Sequence, residues 1–281
     1  MRLRLYLSAI VLLSVACLAA TWGKFNNITV GSSGGNVGKY NNVTIGTTTG
    51  NIGAWNALTS PGGGTLPSLL NNKNNSAACG GGGTCATVAF SSSLTNPSTI
   101  VACGTSNSGS DTLTFTDTAT NTYNDSGAGQ ILFITNAATI RCACAANTHT
   151  TASNVITMHS SAFAAYQVGA AEFSGVLNCT ADVTGSVANG TSNASTGAVT
   201  TGSVTPTVTN DLVLGAAAGQ VGSFSGAQPT WTVGASFSAL DTAGMLFEYQ
   251  VYNSTSAINP GGTDPTTSDP YGGITFALKH Q

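Results

Sequence analysis

Thr112-Leu-Thr-Phe-Thr116 places a large apolar side chain at every second position, with threonine between. Successive side chains of a β-strand point to opposite faces, so a period of two marks a strand with one face in a core. The alternation recurs on both sides of this stretch, in Thr87–Phe90, Thr99–Cys103, Ile131–Ile134, Thr139–Ala145, Asn154–His159 and Tyr166–Ser174. It continues in Asp211–Gly215, Thr230–Val233, Gly244–Tyr252 and Ile274–Leu278. Clusters of Gly, Asn, Ser, Asp and Pro separate these runs, and no stretch keeps a helical period for three turns. About a dozen short strands with no helices to cover a parallel sheet predict an all-β, antiparallel β-sandwich of jelly-roll type over residues 66–281. Threonine suits such strands, because it is β-branched and offers water a hydroxyl without a formal charge.

Composition agrees with that reading and excludes others. Only 6% of the 281 residues are charged and 41% are hydrophobic, with a net charge of −3, whereas ordinary soluble domains are about one-quarter charged. Nucleic-acid binding is excluded, since it needs a clustered basic surface to displace phosphate counterions and seven scattered cations supply none. Coiled coils and charged disordered tails are excluded for the same scarcity.

The N-terminus reads as an export signal. Met1-Arg-Leu-Arg4 precedes an apolar run from Leu5 to Ala20 that ends in small residues, the order of charges, apolar segment and cleavage site found in secretory leaders. The run is short of the ~20 residues needed to cross a bilayer, and no later segment is long and apolar enough to try. A lipid anchor through Cys17 is the alternative, although Ser14 stands where such signals usually carry Leu. Residues 21–65 contain a 15-residue repeat, Lys24–Gly38 followed by Lys39–Gly53, each copy holding an aromatic residue, Asn-Asn, a short alternating segment and a Gly-rich reversal. Two copies and a fraction bury too little to stand alone, so the segment is expected to be a stalk ending in the Gly-rich hinge Ser60–Thr65.

Six cysteines follow the leader, an even number in a chain bound for an oxidising compartment, and three disulfides are expected. Cys79 and Cys85 flank a Gly-rich loop that can bring them together. Cys142 and Cys144, two apart in one strand, share a face and do not pair with each other, which leaves Cys103 and Cys179 as their partners. A zinc site is disfavoured because no pair has Cys-x-x-Cys spacing.

Several segments resemble a family of secreted bacterial Thr/Ser/Gly-rich β-sandwich proteins. The likeness is carried by Leu94–Gly104, Phe115–Tyr123, Ile131–Asn136, Ala170–Val176, Thr207–Ala216 and Gly273–Lys279. It implies a sandwich over roughly residues 66–281 and assigns no catalytic residue. The chain departs from the family's pattern at Thr120, where Gly is usual before Asn-Thr-Tyr, and in its extra cysteines.

Candidate chemistry is sparse. Glu172 and Glu248, the only glutamates, both sit in strong strands, as the two carboxylates of a jelly-roll glycoside hydrolase would; that activity needs them about 5–9 Å apart across one cleft. Against it stands the reading that each is a local hydrogen-bond acceptor. His149, His159 and His280 come with no motif that would build a nucleophilic triad. Asp264 with Asp269, and Asp117 with Asp125, could hold calcium in loops, although loop aspartates serve more often as turn formers. Trp231, Tyr249, Tyr252 and Tyr271, in the last quarter of the chain, are candidates for stacking on sugars, with core packing as the competing role. The sequence calls for no cofactor. It describes a secreted or cell-surface structural or adhesive module whose most specific partner is a polysaccharide or another cell-envelope component, with the glycoside hydrolase as the alternative.

Overall fold

The computed structural model describes residues 65–75, 79, 82–132, 138–147, 149–219 and 230–281. The expected leader, Cys17, the 15-residue repeats and the expected hinge up to Gly64 lie outside the described residues, as does part of the expected strand Ile131–Ile134.

Sixteen strands and no helix form among the described residues. In chain order they are β1 Ser68–Asn74, β2 Thr84–Ala86, β3 Ser98–Ser106, β4 Leu113–Asp117, β5 Asn124–Leu132, β6 Thr139–Asn147, β7 Ile156–Ser160 and β8 Ala165–Ser174. The second half continues with β9 Val176–Thr191, β10 Ala198–Thr200, β11 Asp211–Gly219, β12 Thr232–Val233, β13 Ser238–Asp241, β14 Leu246–Tyr252, β15 Gly261–Thr263 and β16 Pro270–His280. Every pairing is antiparallel. Two sheets have five strands, β1-β8-β3-β6-β5 and β13-β14-β11-β16-β9, and two have three, β2-β7-β4 and β10-β15-β12.

Alternation along the strands sorts side chains into layers. Val101, Ile140, Ala171 and Phe173 of the first large sheet share one core with Leu212, Leu214, Phe247, Ile274 and Phe276 of the second, so the two large sheets face each other. Ile100, Ala102, Val168 and Ala170, on the opposite face of the first sheet, pack on Leu113, Phe115, Ile156 and Met158 of the small sheet β2-β7-β4. Ala217 and Leu246, on the opposite face of the second, pack with Trp231, Val199 and Val233 around β10-β15-β12. Each large sheet is thus covered on both sides, and β3 and β11 are buried at every position. Period-two alternation inside them distinguishes one core from another rather than core from water. Several threonines expected to face water accordingly lie inside. Thr99, Thr139 and Thr275 are wholly buried, and Thr275 meets Thr201 at 2.6 Å.

Three disulfides staple this stack. Cys79 joins Cys85, Cys103 joins Cys142 and Cys144 joins Cys179. Cys103 and Cys142 stand directly opposite each other on paired strands β3 and β6. Cys144 of β6 and Cys179 of β9 belong to different large sheets, so that bond crosses the central core. The shared face of Cys142 and Cys144 therefore points to two separate partners.

Candidate functional site

A groove of about 460 Å³ opens where the edge strands β5 and β9 of the two large sheets approach β6. Thr120, Thr122, Asn124, Asp125, His149 and Thr180 line it, with Ala146 and the Cys179 disulfide at its base. The six polar side chains are exposed.

Local hydrogen bonds set its walls. Asp117 accepts from the Asn121 backbone N–H and side-chain amide at 2.9 Å each, from the Tyr123 hydroxyl at 3.1 Å and from Asn154 at 3.2 Å. That hub fixes the turn carrying Thr120 and Thr122. Thr120 adopts φ 62°, a left-handed conformation that costs a β-branched residue energy. His149 Nδ1 lies 3.3 Å from Asn121 Oδ1. On the other wall, Arg141 donates to Asp125 Oδ1 through Nε at 3.0 Å and Nη2 at 2.6 Å, and through Nη1 to the Leu113 carbonyl. Asp117 is filled by donors and Asp125 by a guanidinium, so the two aspartates do not make the joint calcium site considered from the sequence. No group of three or more His, Cys, Asp or Glu side chains suited to a metal occurs among the described residues.

The two glutamates are not brought together. Glu172 alternates with Ala171 and Phe173 of the central core, which turns its side chain to the outward face of β8, toward the small sheet. There it accepts from Asn71 at 2.6 Å and from the Thr95 N–H and Ser98 hydroxyl at 2.7 Å each. Glu248 alternates with Phe247 of the same core and faces outward from β14 on the far side, accepting from the Gly261 N–H at 2.8 Å and the Gly234 N–H at 3.0 Å. The central core stands between the two carboxyls, so they share no cleft, and each ties backbone from outside its large sheet to a strand of that sheet. Burial pushes Glu248 up to about 7, against the two backbone bonds that favour its charged form. Asp241 repeats the pattern, pushed up to about 6 by burial although Ala243, Gln167 and Asn74 all donate to it.

The aromatic residues singled out from the sequence do not form a platform. Trp231 and Tyr271 are buried, at 3% and 6% exposure. Trp231 is bracketed by threonines but seals the layer above Ala217 and Leu246, and the Tyr271 hydroxyl accepts from the Thr200 N–H. Tyr249 is half-buried and packs edge-on to Phe173 with ring centroids 5.2 Å apart, while Tyr252, also half-buried, lies against Val213 and Ile258. His159 meets Thr116 at 2.8 Å and His280 meets Asp211 at 3.2 Å, partners different from the Asn121 side chain that His149 meets.

Sequence reasoning passed over the groove. Thr120, Thr122 and Asn124 read as an ordinary turn, and nothing local announces that His149 from the loop after β6 and Thr180 from β9 arrive beside them. Compared with known proteins, the chain matches no family model, no curated sequence and no solved structure.

Proposed function

We propose that the chain is a secreted or surface-displayed structural and adhesive module, a jelly-roll-like sandwich on a repetitive stalk, that holds a cell-envelope polysaccharide in the β5–β9 groove. The observation that carries this reading is the groove's lining of three threonine hydroxyls, an amide, a carboxylate and an imidazole. Sugar hydroxyls both donate and accept, and such a mixed set of short polar groups complements them without large net charge. Export is supported by the three disulfides, which form and persist in oxidising compartments.

The test is depletion of the purified protein from solution by a panel of insoluble polysaccharides and cell walls. Saturable depletion by one of them, weakened about tenfold by Thr122→Ala with Asn124→Ala, is the expected result, the loss corresponding to two hydrogen bonds. Depletion by none, or depletion indifferent to the groove substitutions, would overturn the assignment of the groove.

A further inference from the structure

Gly219 ends β11 and pairs with Tyr271 near the start of β16, which brings Asp269 alongside it. Asp264 follows directly on β15. A Cβ added at Gly219 would stand 2.9 Å from Asp264 Oδ2, 3.2 Å from Asp269 Oδ2 and 3.6 Å from Cζ2 of Trp231. Two carboxylates from different chain segments therefore converge on the space that a missing side chain leaves open, and an indole ring closes one side of it.

A second observation concerns Asp264 alone. It is 4% exposed; its Oδ1 accepts from the Thr266 N–H at 2.8 Å, while its Oδ2 is buried with no hydrogen-bond partner. A buried carboxylate oxygen without a donor is costly, and a second carboxylate facing the same point adds repulsion rather than relief. The basic side chains Arg141 and Lys279 do not answer this need, since they pair with Asp125 and Asp182.

We infer that Asp264 Oδ2 and Asp269 Oδ2, over the bare backbone of Gly219, bind a hard divalent cation of the calcium class. Such ions take oxygen ligands at about 2.3–2.6 Å and complete their shells with water and backbone carbonyls, and a site with only two carboxylates is expected at the weak end of the range, about 10⁻⁴–10⁻³ M. Asp269 is half-buried and gives the ion access from solvent. Gly219 is required because any side chain would occupy the ion's place. The inference is independent of the groove and of what the groove holds.

Trp231 supplies the reporter for the test, since excitation of an indole at this range sensitises terbium emission. With the full disulfide-bonded chain, Tb³⁺ is expected to give sensitised emission that Ca²⁺ displaces. Saturating Ca²⁺ is expected to raise Tm by about 5 °C, reversibly with EDTA. Asp264→Asn abolishes both effects, and Asp269→Asn, at a half-exposed position that leaves folding intact, weakens both. Trp231→Phe keeps the Ca²⁺ shift and loses the emission. Absence of both signals in the natural chain would overturn the site. Signals that survive Asp264→Asn and Asp269→Asn would overturn it by placing the ion elsewhere.

Discussion

Raising the pH from 5 to 8 should loosen this fold, and a lower bound on the effect follows from two buried carboxyls. Burial lifts Glu248 from 4.5 to about 7 and Asp241 from 3.8 to about 6. The folded chain thus holds both protons more tightly than the unfolded chain. The stability they contribute is fully present below the unfolded values and is lost as the pH climbs through 6 and 7. Between pH 5 and 8, Glu248 titrates over roughly two units and Asp241 over roughly one, and at ~1.4 kcal/mol per unit the loss is about 4 kcal/mol. Asp264, which burial also pushes up to about 6, adds to the loss, whereas Asp111 and Asp182, held below the ordinary value, work in the opposite direction but only at more acidic pH. For a domain of this size each kcal/mol moves Tm by about 2–4 °C, so Tm should fall by about 10 °C across the window. Thermal melts at half-unit steps of pH measure it. Glu248→Gln separates the contributions, since it removes the titrating group and should cut the slope by about half. A Tm that is flat or rises from pH 5 to 8, or a Glu248→Gln variant with the full slope, would refute the reasoning.

Two further outcomes follow from the groove's walls. Thr120→Gly relieves a left-handed β-branched residue and should stabilise the chain by about 0.5–1 kcal/mol after allowing for glycine's greater freedom when unfolded, read as a small rise in the urea midpoint at constant slope. Replacing Cys144 and Cys179 together by Ala frees a link that closes 35 residues of chain and should cost about 3–4 kcal/mol, with protease cleavage appearing first along β9.

Strands with strict alternation, such as Leu113–Asp117 and Ile156–Ser160, were legible because one of their faces remains outside a core. The cysteine pairing was legible because two sulfurs on one face of one strand must find different partners. The four-sheet layering was not. Asp211–Gly219 carries Leu and Val on both faces, which is equally consistent with a two-sheet sandwich containing one hydrophobic strand. Trp231 illustrates the same difficulty from the other side, since flanking threonines signal an outer surface only when nothing covers it. β9 was missed altogether. Val176–Thr191 holds Thr, Asn, Gly, Ser and Asp without regular alternation, and it is a strand because β16 provides a partner along nearly its whole length. The glutamates could be placed on strands from the sequence, but which way each one turned depended on the layers. Asp264 and Asp269 were visible as a pair, whereas the approach of Gly219 and Trp231 from distant segments was not.

The irregularity of β9 has a bearing on solubility. It is the free edge of a five-stranded sheet, and its register against β16 breaks three times. Sheet edges invite identical molecules to add strand on strand, and most proteins deter this with lysines or other charges at the rim. A chain with so few charges has little of that protection to deploy. The offsets fall between Val176 and Ser186, where a second copy laid along β9 would find its donors and acceptors out of step, whereas Ser186–Thr191 keeps one register. Along that part of β9, backbone geometry thus supplies a deterrent that charges supply at most sheet edges, and substitutions that straightened it are expected to favour strand-on-strand association.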